Sequence, residues 1–170
     1  MRHTGLLSRE LASPLMDMEE TMWFGSIAAE ELNDWGRASL NENIGIEITE
    51  IAAGSLHARM KVDHRTIQPA GYLHGGASVA FAETLASWAG FLAIDRDHKH
   101  VVGQEINANH IRPVPAGDWV TGVAEPVYVG KRSHVWQVRI SNESGKLVCI
   151  SRCTLAVIDQ ASAYTGPENR

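Results

Sequence analysis

The sequence predicts an α+β domain in which one antiparallel sheet wraps around one long helix. Three observations carry this. From Gly76 to Ile94 the chain is Ala-rich and apolar on almost every face, which is the pattern of a buried helix. Two strand-like runs precede this stretch and four follow it, the first two alternating with period two. Gly117-Asp118, Gly130 and Ser144-Gly145 mark turns between the later runs, as expected of antiparallel neighbours. A single apolar helix with six such strands is buried by a sheet that curves around it.

The elements follow in order. Residues 1–27 are an N-terminal extension of mixed composition, read as poorly ordered or helical, although Met16, Trp23 and Phe24 are large enough to dock on the body. Residues 28–158 form the domain. Residues 28–41 read as a helix, ended or weakened at Gly36. Residues 44–51 and 56–62 alternate around Ala53-Gly54 and read as a hairpin. A Pro/Gly loop containing Gln68, Pro69 and Gly71 leads into the long helix, and Asp95 to His100 reads as a polar turn. Strands follow at about 101–112, 118–129, 133–142 and 146–158, and residues 159–170 are a polar tail expected to fray.

Composition bounds the function. A chain of 170 residues is one domain by length. Its net charge of −5 calls for neither nucleic acid nor an anionic membrane. Residues 1–14 contain no apolar run of signal-peptide length, and no stretch is long enough to span a bilayer, so a cytoplasmic location is the default. Cys149 and Cys153 are four apart in a strand-like run, about 13 Å along it, too far for a disulfide. They read as reduced core thiols. Among the 8 histidines the one close pair is His98 and His100, which no Cys or carboxylate set joins, so no metal is expected. There is no Gly-x-Gly-x-x-Gly, no phosphate loop and no Gly-x-Ser-x-Gly elbow.

The chemistry concentrates at residues 68–91. Glu83 is the one carboxylate in the apolar helix, and a buried carboxylate needs a partner or a job. His74-Gly75-Gly76 opens that helix. Its first N–H groups lack internal partners, lie at the positive end of the dipole and are open to a ligand oxygen where no Cβ intervenes. That is the making of a polarised-carbonyl site. Glu83 lies eight residues after Gly75, roughly 12 Å along a helix, whereas a catalytic group stands about 3 Å from the reacting carbon. The expectation is a composite site, with Gly75 and Gln68 from one subunit and Glu83 from another.

Gln68-Pro69-x-Gly71-x-x-His74-Gly75-Gly76-Ala77, followed by Ala82-Glu83-Thr84-x-x-Ser87, resembles the hot dog-fold acyl-CoA thioesterases of the PaaI type. The likeness is to the branch of the Arthrobacter-type 4-hydroxybenzoyl-CoA thioesterase and the 1,4-dihydroxy-2-naphthoyl-CoA and enterobactin proofreading thioesterases. It extends through residues 102–112 and 130–136 and covers roughly residues 30–158. The resemblance implies the hot dog fold and hydrolysis of small aromatic acyl-CoA thioesters, with coenzyme A as part of the substrate and no cofactor. Glu83 falls on the family's catalytic carboxylate, acting as nucleophile through a mixed anhydride or as general base on water. Gln68 and His74 either donate to the thioester oxygen or hold the loop, and Gly75 acts through its backbone N–H.

Ser87, one turn after Glu83, either serves the site or only permits close packing, and Thr84 is the weaker candidate on a neighbouring face. His110, Arg112 and the turn Gly130-Lys131-Arg132-Ser133 match positions that touch the nucleotide or pantetheine in the resembled family. Without the likeness they read as a solvated face. Gly103 marks a close approach of the pantetheine arm or a bulge. Phe81, Trp88 and Tyr72 are candidates for an acyl pocket. The resemblance also implies a homo-oligomer, a tetramer built as a dimer of dimers. Rival readings are a proofreading hydrolase of mis-acylated carrier protein and a non-catalytic acyl-CoA binder. A hydratase of the same fold would need an Asp/His motif not found here.

Overall fold

The structure, a computed structural model, describes residues 21–160. Strands β1 (Ile46–Ala52) and β2 (Ser55–Lys61) form the expected hairpin around Ala53-Gly54. The central helix is α3 (Gly75–Leu92), and β3 (Lys99–His110), β4 (Trp119–Val129), β5 (Ser133–Asn142) and β6 (Leu147–Asp159) follow it. All six strands join one antiparallel sheet in the order β1-β2-β4-β5-β6-β3, leaving β1 and β3 as its edges. Helix α3 packs against five of these strands, β2 to β6, which is the arrangement of the hot dog fold.

Period-two alternation puts Val120 and Ala124 of β4, Trp136, Val138 and Ile140 of β5, and Cys149, Cys153 and Leu155 of β6 on the buried face. Phe81, Leu85 and Leu92 of α3 meet them, all fully buried. Each such side chain contributes about 1.5–3 kcal/mol through the apolar area it removes from water. The rest of the buried stripe is small: Ser78, Ala82, Ala86, Ala89 and Gly90. The helix therefore lies close to the sheet. A Cβ at Gly90 would come within 2.4 Å of Leu155 Cδ1, so any other residue there must displace the Leu155 side chain.

In this chain α3 is not buried on every face, as its composition suggests. Glu83, Thr84, Ser87, Trp88 and Phe91 are half-buried and form one side of the helix. The helix expected over 28–41 is instead two, α1 (Ala29–Trp35) and α2 (Leu40–Ile44). Gly36 ends the first, Ala38 turns at φ 55°, and Ser39 caps the second by accepting from the Asn41 N–H. Asn33 of α1 uses both ends of its amide on Ile48, donating to its carbonyl at 2.9 Å and accepting from its N–H at 2.8 Å. This anchors the helix where the β1–β2 register shifts between Ile48 and Glu50. The turn expected over 95–100 is shorter, because Lys99 and His100 already pair with Asp159 and Ile158 of β6.

The described part of the N-terminal extension is docked, neither frayed nor helical. Trp23 stacks on Trp136 with ring centroids 6.1 Å apart and donates from Nε1 to the Ala52 carbonyl at 2.6 Å. The Phe24 N–H bonds to the Leu92 carbonyl at 2.7 Å. Met16 and the tail beyond Gln160 lie outside the described residues. Trp23→Ala is expected to cost about 3 kcal/mol, the low end for truncating an aromatic side chain, whereas Phe24→Ala costs less than about 0.5 kcal/mol. Urea unfolding measures both.

Cys149 and Cys153 are both free and buried. Burial pushes both thiols up, and the charges of Glu83 and Glu105 add to it at Cys153, which is raised to about 12. Since the thiolate is the reactive form, neither cysteine is expected to react with Ellman's reagent at pH 8 in the native protein. Both should react on denaturation, and colour release before denaturation would contradict this.

Candidate active site

The loop before α3 is tied down by its own polar residues. Arg65 holds Asp63 through Nε at 3.0 Å and Nη2 at 2.6 Å, which lowers the carboxyl to a pKa of about 2. Thr66 Oγ1 donates to the Lys61 carbonyl at 2.9 Å and accepts from the Asp63 N–H at 3.0 Å. The His74 N–H then bonds to the Thr66 carbonyl, and the Leu73 N–H to the Val114 carbonyl, each at 2.8 Å. The start of α3 is thereby fixed against the body.

His74 serves that start. Its Nδ1 accepts from the Gly76 N–H at 2.8 Å, so it is the N-cap of α3, with its ring exposed and outside the lining of the neighbouring cavity. The bond it makes caps the helix start. Gln68 is placed differently. Its Oε1 accepts from the Ala70 N–H at 2.6 Å, which leaves its NH2 to donate. Gln68 lines a cavity of about 400 Å³ together with Gly75, His110, Arg112 and Tyr72. A Cβ at Gly75 would lie 3.0 Å from His110 Nε2, so the absence of a side chain there makes room for the imidazole. Arg112 also donates through Nη1 to the Leu147 carbonyl, pinning the start of β6.

Glu83 faces a second cavity of about 410 Å³, lined with it by Thr84, Ser87, Trp88, Phe91 and Leu40 among others. Glu83 is half-buried, not buried as its apolar helix suggests, and no ion pair among the described residues involves it. Its Oε1 lies 2.8 Å from the point a Cβ of Gly103 would occupy. Gly103 does sit at a bulge, since the β3–β6 register shifts between Gly103 and Glu105. The space beside it, however, belongs to the Glu83 carboxylate. Thr84 Oγ1 donates to Asn41 Oδ1 at 3.2 Å, tying α2 to α3 across the cavity. Trp35, Trp88 and Phe91 form an aromatic cluster with centroids 5.6–6.3 Å apart.

The two cavities share no lining residue. Both touch β3, one beside Gly103 and the other through His110, seven residues on and about 23 Å away along a strand. The turn residues Gly130 and Lys131 line a third cavity of about 430 Å³ with Asp95, Lys99 and His134. Burial pushes the His134 imidazole down, partly offset by the Gly130 carbonyl. Arg132 and Ser133 are not in that lining. Their carbonyls close the turn, accepting from the Val157 and Gly130 N–H groups, each at 3.0 Å.

Of the acyl-pocket candidates, Trp88 lines the Glu83 cavity and Tyr72 the Gln68 cavity, while Phe81 is a core residue with no exposure. Leu40 and Asn41 were not expected at a site. Their signal is Ser39-Leu40-Asn41-Glu42, a capping-box pattern that marks a new helix start. Among the described residues no His/Cys/Asp/Glu cluster could hold a metal ion, and no helix is long and apolar enough to cross a membrane.

Comparison with known proteins places this architecture. Residues 70–149 match the profile of the Thioesterase superfamily. The 1,4-dihydroxy-2-naphthoyl-CoA hydrolase of Escherichia coli is 44% identical over 137 residues, covering 81% of this chain and 99% of that one. The crystal structure of a Haemophilus influenzae thioesterase is 45% identical, with a TM-score of 0.81 over 85% of this chain and 99% of that one. A Staphylococcus aureus protein, solved as two alanine variants, is 37% and 38% identical with TM-scores of 0.66 and 0.68. Those alignments cover 69% and 71% of this chain and 97% and 98% of the other. The chain belongs to the thioesterase superfamily and is a thioester hydrolase.

Gly103→Ala puts a methyl group into the space of the Glu83 carboxylate. If Glu83 works on the thioester, a displacement of about 1 Å costs on the order of 10²-fold in kcat, while the thermal midpoint holds. Unchanged turnover would remove Glu83 from this position in the working enzyme.

Proposed function

We propose that this protein hydrolyses small aromatic acyl-CoA thioesters to the free acid and coenzyme A, with Glu83 as the catalytic carboxylate. The observation that carries the reading is Glu83 itself, an ionisable group without an ion-pair partner among the described residues. It lies against Gly103 at the wall of a cavity whose other side is Leu40, Trp88, Phe91 and Val101. A flat apolar acyl group suits that lining, and a carboxylate beside it can reach the carbonyl. Two further facts support it. The E. coli relative is named for an aromatic acyl-CoA. The two S. aureus variants remove a glutamine and a glutamate fifteen residues apart, the spacing of Gln68 and Glu83 in this chain.

Hydrolysis adds water across the C–S bond. Glu83 delivers the oxygen, either by attacking the carbonyl itself or by taking the proton of an attacking water. The carbonyl oxygen takes up negative charge as the new C–O bond forms. The Gln68 NH2 and the Gly75 N–H stabilise it at the positive end of α3. The C–S bond then breaks and coenzyme A leaves. In the general-base route the proton held on Glu83 passes to the sulfur. In the direct route water opens the resulting acyl–Glu83 anhydride, giving one proton to the sulfur and restoring the carboxylate as the free acid leaves. Arg112, Lys131 and Arg132 present cations for the phosphates of the nucleotide. The reaction needs no cofactor.

The donors and Glu83 line different cavities of one chain, so a working site takes Glu83 from one subunit and Gln68 with Gly75 from another. The exposed edge of β3 offers the means. Antiparallel pairing of β3 with β3 of a second copy brings the Gly103 end of each strand to the His110 end of the other, uniting the two halves twice over. The reading extends to a tetramer made of two such dimers.

Free-thiol release from benzoyl, hydroxybenzoyl, phenylacetyl and short aliphatic CoA thioesters tests the reaction. Glu83→Ala is expected to lose about 10²-fold or more in kcat. Wild-type protein that turns over none of the panel would refute the reading. Co-refolding Glu83→Ala with Gln68→Ala tests the shared site. Random dimers regain about a quarter of wild-type activity, since half of them carry one intact site. No recovery would place both groups in one subunit.

A further inference from the structure

We infer that Trp88 and Asn41 form a partition that ends the acyl cavity and sets the longest acyl group the enzyme accepts. This rests on the proposed acyl-CoA reading and concerns the far end of the same site. Next to the Glu83 cavity lies a larger, half-open one of about 600 Å³, lined by residues of α1, α2 and β1, by Arg59 of β2 and by Trp88. The linings of the two cavities have two residues in common, Asn41 and Trp88. Those two side chains are therefore the wall between them.

The wall is held from both sides. Thr84 Oγ1 bonds Asn41 Oδ1 at 3.2 Å, and the Asn41 side chain abuts Gly36, where a Cβ would lie 3.5 Å from its Cβ and Nδ2. Trp88 meets Phe91 edge to face at 5.6 Å and lies tilted against Trp35 at 6.3 Å. An acyl group entering beside Glu83 stops against the indole. The compartment beyond differs in character. Its arginines are already neutralised, Arg37 by Asp34 at 2.7 Å and Arg59 by Glu47 at 2.6 Å, and Asn33 and Thr49 add polar lining. It has room for a longer chain, and its remaining carboxylate, Glu42, is turned to the Ala38 N–H, from which it accepts at 2.6 Å. A chain reaches it only when the indole is cut back.

Trp88→Leu shortens the wall while keeping apolar contact with Trp35 and Phe91, and Trp88→Phe is the milder variant should the first fold poorly. Wild-type and variant proteins are compared on benzoyl-CoA and decanoyl-CoA. The expected result is a rise of about tenfold or more in the decanoyl-to-benzoyl ratio of kcat/KM, the scale of discrimination a few methylenes give in an apolar pocket. Asn41→Ala should move the ratio in the same direction by less. The same two ligands are titrated calorimetrically against Glu83→Ala with and without the Trp88 substitution, which reads the wall through affinity alone. A shifted affinity ratio without turnover by the wild type would sink the hydrolase reading and keep the partition. An unshifted ratio in both measurements overturns the partition and leaves the hydrolase reading standing. Absence of binding by either ligand overturns both.

Discussion

The depth at which α3 rests against the sheet is the constraint from which the rest follows. Its buried stripe of Ala82, Ala86, Ala89 and Gly90 lets β6 come so near that Leu155 occupies the space of a missing Cβ. Close contact of this kind fixes rotation as well as depth. One residue of slip would turn the helix by about 100° and carry Glu83 away from the sheet edge. With the helix seated, one carboxylate emerges beside Gly103 of β3, and the N-terminus of the same helix emerges beside His110 of the same strand. Glu83 takes its position from this close packing, and the helix start takes its own also from the bonds of the His74 and Leu73 N–H groups to Thr66 and Val114.

The sheet and central helix were legible because their signals are local. Alternation in 44–51 and 56–62, turn residues at Gly130 and Ser144-Gly145, and the Ala-rich run after Gly76 need no knowledge of distant partners. Glu83 stood out for a similar reason, since an isolated charge in an apolar helix contradicts its surroundings. The expectation that Glu83 and the helix start serve different carbonyls followed from helical rise alone, and the two do line separate cavities.

What escaped the sequence depends on long-range register. Gly103 meets Glu83 because the β3–β6 pairing shifts at that position, which strand periodicity does not encode. Trp23 lies on Trp136 across more than a hundred residues, and the composition around it reads as a loose extension. The split of α1 from α2 was written in Ser39 and Glu42, yet the surrounding helix-forming residues outweighed a single capping pattern. His74 illustrates a different ambiguity. A histidine at a helix start is equally a cap or a ligand, and only the Gly76 N–H at 2.8 Å displays the first role.

The separation of the Glu83 cavity from the Gln68 cavity has an evolutionary consequence. The residues that shape the cavity beside Glu83, the acyl space of the proposed function, lie on α2 and the middle of α3, whereas the groups near Gln68 lie in the tied loop and at the far end of β3. Substitutions at Leu40, Asn41 or Phe91 alter one without disturbing the hydrogen bonds that hold the other. A lineage can therefore exchange one acyl preference for another by drift in a few half-buried side chains. Under the proposed function, the groups at Gln68 and Gly75 pass unchanged from each preference to the next.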